Sequence, residues 1–120
     1  MARILLVDDE ESVRGLLKRG LELDGHVVTT AIDGGDGLDR LHENPGSFDI
    51  LITDIRMPVM DGIALALAAK RDEPNLEIVL MTGFAEQRER AKNLEAIVAD
   101  VLTKPFSLGE LRAVVARILA

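Results

Sequence analysis

Five side chains have the types and positions to act on one group: the adjacent acids Asp8 and Asp9, the acid Asp54, the hydroxyl of Thr82 and the amine of Lys104. Each ends a short apolar run. A side chain leaving a sheet at the carboxyl end of a strand stands where open α/β folds place their ligands. Three carboxylates gathered at one such edge do not all stay ionised at neutral pH without a compensating cation, because like charges raise one another's pKa values. Hard oxygen ligands in small number, with water completing an octahedron, suit Mg²⁺ bound beside a phosphate better than a full calcium cage. Lys104 brings a point positive charge for a phosphoryl oxygen or for the free Asp54 carboxylate, and Thr82 offers a short hydroxyl donor. An aspartate in these surroundings can attack phosphorus to give an acyl phosphate, which makes Asp54 the candidate nucleophile.

The elements that must position these groups are legible in the hydrophobic pattern. Phe48 to Asp54 is an apolar run between the turn-like Asn44-Pro45-Gly46-Ser47 and Pro58, and reads as a strand buried on both faces. Arg3 to Val7 reads the same way and runs into Asp8-Asp9. A helix is expected from about Ser12, with Val13, Leu16, Leu17 and Leu21 on its apolar face and Gly25 as its stop. His26 to Ala31 is a second strand, and Asp33 to Gly37 a loop. A weak helix carrying Leu38 and Leu41 inward ends before Pro45. From Gly62 to before Pro74 the apolar residues alternate as in a strand, but the alanines at 64, 66, 68 and 69 decide for helix. Glu77 to Thr82 is a strand, Glu86 to Ala96 a mostly polar helix, and Ala99 to Thr103 the last strand. Ser107-Leu108-Gly109-Glu110 is a capping box, opening a helix with Leu108, Leu111, Val115, Ile118 and Leu119 on its apolar face. The alternation βαβαβαβαβα implies a doubly wound α/β fold, a five-stranded parallel sheet with helices on both faces.

Composition narrows the partners. The 120 residues are expected to form one domain, and 48% hydrophobic content is enough for a sizeable core. A net charge of −7 argues against sequence-independent binding to nucleic acid or to an anionic membrane surface. With no cysteine there is neither a disulfide framework nor a cysteine zinc site. The apolar run after Met1-Ala2-Arg3 is too short for a signal peptide or membrane span, so a cytoplasmic protein is expected.

Taken singly, each residue also has a bland reading. An acidic pair before a helix can simply complement its dipole, Thr82 can be an ordinary strand residue, and Lys104 a solvated end. Asp61-Gly62 reads as a turn and helix start. Asp33 to Gly37 lacks the Lys-Ser/Thr of a phosphate loop. His26 and His42 have no ligand spacing. It is the coincidence of Asp8-Asp9, Asp54 and Lys104 at matching strand ends that favours chemistry.

With that coincidence in register, the whole chain resembles a response-regulator receiver domain. The family's acidic pair matches Asp8-Asp9, its phosphoacceptor Asp54, its hydroxyl residue Thr82, and its Lys-Pro Lys104-Pro105. The resemblance implies the flavodoxin-like strand order 2-1-3-4-5. It further implies Mg²⁺ held by Asp9 directly, by Asp8 mainly through water, by Asp54 and by the Arg56 backbone carbonyl, and a cis bond before Pro105. It implies a phosphohistidine donor, either a histidine kinase or a histidine phosphotransferase, and no catalysis beyond the domain's own phosphorylation and dephosphorylation. One position departs from the family. Three residues before the lysine, where Tyr or Phe is usual, stands Val101, too small for the usual exposed-to-buried swing of a switch ring. Arg56 and Phe84 flank the pocket, where they could shield a phosphoryl group from water.

No effector domain follows within the chain, so output is expected through another protein rather than DNA. Thr53 to Gly62, Met81-Thr82-Gly83-Phe84-Ala85 and Gln87-Arg88-Glu89-Arg90-Ala91 resemble the CpdR type of single-domain regulator, which implies ClpX of the ClpXP protease as an output partner in the unphosphorylated state. Two other functions fit parts of the pattern. One is a phosphotransfer intermediate. The other is a haloacid-dehalogenase-like aspartyl phosphatase, which needs a second aspartate where this chain has Arg56.

Overall fold

The computed structural model describes residues 1–83 and 85–120, with the side chains of residues 85–88 outside the description. Ten elements follow one another: β1 (Arg3–Val7), α1 (Glu11–Leu23), β2 (Val27–Ala31), α2 (Gly34–Glu43), β3 (Ile50–Asp54), α3 (Gly62–Asp72), β4 (Glu77–Thr82), α4 (Ala85–Lys92), β5 (Asp100–Thr103) and α5 (Leu108–Leu119). The strands form one parallel sheet in the order β2-β1-β3-β4-β5. This is the expected doubly wound arrangement.

The sheet's two faces explain why β1, β3 and β4 are apolar almost throughout. Side chains alternate across a strand, and here both sides are covered. Leu5, Val7, Leu51, Ile78 and Leu80 pack with Leu41 of α2, Ile63, Leu65 and Ala66 of α3, and Ala91 of α4. Ile4, Leu6, Ile50, Ile52, Val79 and Met81 pack with Leu17 and Leu21 of α1 and Leu111, Val114 and Val115 of α5. The edge strand β2 is half-exposed and carries two threonines.

Several boundaries differ from the sequence reading. Gly34 to Gly37 is the first turn of α2, not a loop, because the Asp33 side chain accepts the Asp36 N–H at 2.8 Å and caps it. The α4 helix stops at Lys92, well short of Ala96. Beyond it the Asn93 and Leu94 N–H groups bond carbonyls three residues back, and Leu94, Ile97 and Val98 turn into the core. Leu16 and Leu119 lie off the apolar stripes of their helices, at 52% and 42% exposure. The capping box at Ser107 and Glu110 is formed. His26 accepts the Ala2 N–H at Nδ1, and His42 pairs with Asp72 at 3.0 Å.

Candidate functional site

The carboxyl edge of the sheet carries the site. β1 delivers Asp8, whose N–H donates to the Ala31 carbonyl of the neighbouring β2 at 3.2 Å. Its side chain turns back, with Oδ1 accepting the Glu10 N–H at 2.9 Å. The Arg14 guanidinium donates to its main-chain carbonyl at 2.7 Å. Asp8 is wholly buried, and among the described residues its Oδ2 has no hydrogen-bond partner. β3 delivers Asp54, 8% exposed, in register with Met81 of β4. Lys104, just past β5, reaches across β4 to place Nζ 3.0 Å from Asp54 Oδ2. Its own N–H donates to the Thr82 carbonyl at 2.7 Å, so the buried Thr82 and Lys104 stand side by side at adjoining strand ends. The Lys104-Pro105 bond is cis.

One oxygen each from Asp8, Asp9 and Asp54 lies within 4.8 Å of the others. Burial raises the Asp54 carboxyl above its ordinary range, and the Asp9 charge adds to this; the Lys104 hydrogen bond and charge oppose it. Burial likewise raises Asp8, helped by Asp54 and Asp9 and opposed by the Glu10 N–H and Lys104. A buried carboxylate oxygen without a donor, inside a trio of carboxylates, fits a hard divalent cation.

The β3–α3 loop, residues 55–61, follows Asp54 directly and carries the exposed Arg56. Its path is fixed by close packing. A Cβ on Gly62 would lie 2.1 Å from the Asp54 carbonyl oxygen, and one on Gly34 would lie 2.2 Å from that of Met60. Asp61 caps α3 by accepting the Ala64 N–H at 2.9 Å and also pairs with Arg90 of α4 at 3.1 Å. Val59 is exposed with φ 71°, a left-handed conformation that β-branched residues avoid. Val101 is half-buried on β5 and lines a cleft of about 390 Å³ with Ala91 and Val98. Phe84 and the Arg88 side chain lie outside the described residues.

Four of the sequence candidates, Asp8, Asp9, Asp54 and Lys104, are thus brought into one cluster, with Thr82 adjoining. Sequence reasoning passed over Arg14 and Gly62. Gly62 was visible only as half of a turn-like Asp-Gly pair, and Arg14 only as a basic residue one turn into a helix.

A five-stranded doubly wound fold with an acidic trio and a lysine at its carboxyl edge defines a class, the aspartate-bearing signalling domains of two-component systems. Residues 4–116 match the response regulator receiver domain, and the chain belongs to that family. It is 42% identical over 111 residues to response regulator receiver protein CpdR of Brucella abortus, covering 92% of this chain and 91% of that one. It is 38% identical to transcriptional regulatory protein PrrA of Mycobacterium tuberculosis over 98% of this chain, but spans only 49% of that relative's length. Among solved structures it is similar to response regulator TrrA of Thermotoga maritima in complex with Mg²⁺-BeF. The TM-score is 0.87 and identity 30%, over 98% of this chain and 99% of that one. No described helix is long and apolar enough to cross a membrane.

Proposed function

We propose that residues 1–120 act as a single receiver domain that takes a phosphoryl group onto Asp54 from a phosphohistidine donor and so switches a contact with another protein. The observation that carries this reading is the Asp54 carboxylate itself, held 3.0 Å from the Lys104 amine inside the acidic trio. An Asp54 oxygen attacks phosphorus, the bond from phosphorus to the donor nitrogen breaks, and that nitrogen keeps the electron pair. Lys104 then exchanges its bond to the free carboxylate for one to a phosphoryl oxygen, and the Thr82 hydroxyl donates to another. Asp8, Asp9, Asp54 and the Arg56 carbonyl are the groups that would hold Mg²⁺. When bound, the ion neutralises charge on the phosphoryl oxygens. Support for the metal comes from the orphaned Asp8 oxygen and from the Mg²⁺-BeF complex of the Thermotoga relative.

Catalysis is confined to the domain's own phosphorylation and dephosphorylation, the location is cytoplasmic, and the donor is a histidine kinase or histidine phosphotransferase. The likeness to CpdR over nearly the full length of both chains favours ClpX as the output partner. The phosphatase reading is not favoured, since Arg56 cannot serve as general acid at neutral pH.

The test uses Mg²⁺ and a small phosphodonor. Wild type should gain one phosphoryl group, stable to acid and labile to base and hydroxylamine, and Asp54→Asn should gain none. Undiminished labelling of Asp54→Asn would place the nucleophile elsewhere, and omitting Mg²⁺ should suppress labelling of wild type.

A further inference from the structure

Asp9 is the most exposed member of the acidic trio, and among the described residues its carboxylate makes no hydrogen bond. Its position is therefore set by the main chain on either side. That main chain is held by a reciprocal pair of bonds between the acidic turn and α1. On one side the Asp8 carboxylate accepts the Glu10 N–H at 2.9 Å, in place of a side-chain cap at the start of α1. On the other, Arg14 reaches back from the second turn of α1 to donate to the Asp8 carbonyl at 2.7 Å. The Arg14 N–H in turn bonds the Glu10 carbonyl at 2.9 Å, which closes the circuit. Asp9 lies at the middle of this clasp.

From this geometry we infer that Arg14 is a positioning residue for the metal site, holding the Asp8-Asp9 main chain so that both carboxylates point at the same cation. A charge-assisted bond to a carbonyl is stronger than a neutral one. Its loss frees the turn whose neighbouring acids repel one another whenever no cation is bound. Arg14 donates to main chain, so its contribution is to geometry rather than to coordination. The inference rests on the proposed Mg²⁺ site and adds to it a residue outside the acidic pocket.

The experiment titrates Mg²⁺ into unphosphorylated protein by calorimetry, for wild type, Arg14→Ala and Arg14→Lys, with thermal unfolding followed by circular dichroism. Residues that orient metal ligands contribute about 10- to 100-fold to affinity. Arg14→Ala should therefore weaken Mg²⁺ binding about tenfold while remaining folded. Arg14→Lys keeps one donor and should recover part of the loss. In labelling assays the Mg²⁺ concentration giving half the maximal rate should rise for Arg14→Ala, with the rate at saturating Mg²⁺ close to wild type. An Arg14→Ala affinity within twofold of wild type would overturn the clasp, as would a fall in the saturating rate without a change in Mg²⁺ dependence. If Arg14→Ala proves unfolded, Arg14→Met, which keeps the aliphatic stem and no donor, takes its place, with a loss of the same order expected and an affinity within twofold of wild type again overturning the clasp. Wild type that binds no Mg²⁺ would instead remove the proposed metal site, and the clasp with it.

Discussion

At the scale of single residues, the acidic pocket trades stability for a place to bind charge. Asp8 and Asp54 both have carboxyls raised mainly by burial. A carboxyl raised on folding binds its proton more readily in the folded state. Its stabilising contribution is complete below the unfolded value, 3.8, and is lost as pH rises through the folded value. Metal-free protein should therefore gain stability from these two groups when acidified from pH 7. Asp24 and Asp72 run the other way. Hydrogen bonds from Arg112 and Arg71 lower them, so what they contribute is present above 3.8 and lost as pH falls through their folded values. The two windows do not overlap. Asp8→Asn should raise metal-free stability at pH 7 by on the order of 1 kcal/mol, about 4 °C in Tm, and should blunt the gain on acidification. Denaturant titrations at pH 5 and pH 7, with and without Mg²⁺, check this; an Asp8→Asn protein less stable than wild type without metal at pH 7 would contradict it. The acids and Lys104 were legible in the sequence because each closes an apolar run and a parallel sheet gathers such ends on one edge. Arg14 was not, because its partner is a main-chain carbonyl, and nothing in a residue's type announces that.

At the scale of elements, the pocket depends on how closely the β3–α3 loop returns to β3. Gly62 opens α3 against the Asp54 carbonyl, where a Cβ would lie 2.1 Å from backbone that cannot swing aside. Gly62→Ala should lower stability by about 1–3 kcal/mol, the range for overpacking a tight site. Because the displaced group is the main chain of the proposed phosphoacceptor, labelling of Asp54 should slow as well. Wild-type stability and labelling in that variant would show that the loop yields freely. The Asp61–Arg90 pair ties the same loop to α4, but both side chains are partly exposed. A double-mutant cycle with Asp61→Asn and Arg90→Gln should give a coupling of only about 0.2–1 kcal/mol. In the sequence Arg90 stood only on a mostly polar helix, and its pairing with Asp61 became visible only once the fold brought the loop before α3 to α4. The start of α2 was misread for a related reason. Three glycines in Gly34-Gly35-Asp36-Gly37 argue against helix by propensity, yet the Asp33 cap and close packing on the loop override it.

At the scale of the whole molecule, the question is how a charge at Asp54 reaches a partner. On the proposed reading, a phosphoryl dianion beside Thr82 and Lys104 would draw both toward it; Thr82 ends β4 and Lys104 follows β5, the strands that flank α4. In most of the family an aromatic ring carries that shift to the surface. Here the position holds Val101, half-buried beside Ala91 and Val98 in an open cleft between α4 and β5. Val101 offers no ring to lock an active face. We therefore expect the unphosphorylated domain to be the binding-competent form, and phosphorylation to weaken the contact. Couplings of about 1–3 kcal/mol correspond to a 5- to 150-fold change in partner affinity. Purified ClpX should be retained by immobilised wild type and Asp54→Ala and released when wild type is phosphorylated. Substitutions of Arg90 on α4 and of Ile118 and Leu119 at the end of α5 should map the contact. Retention only by the phosphorylated form would reverse the direction of the switch. Phosphorylation confirmed at Asp54 without any change in retention would instead separate the chemistry of the pocket from the surface of α4 and α5.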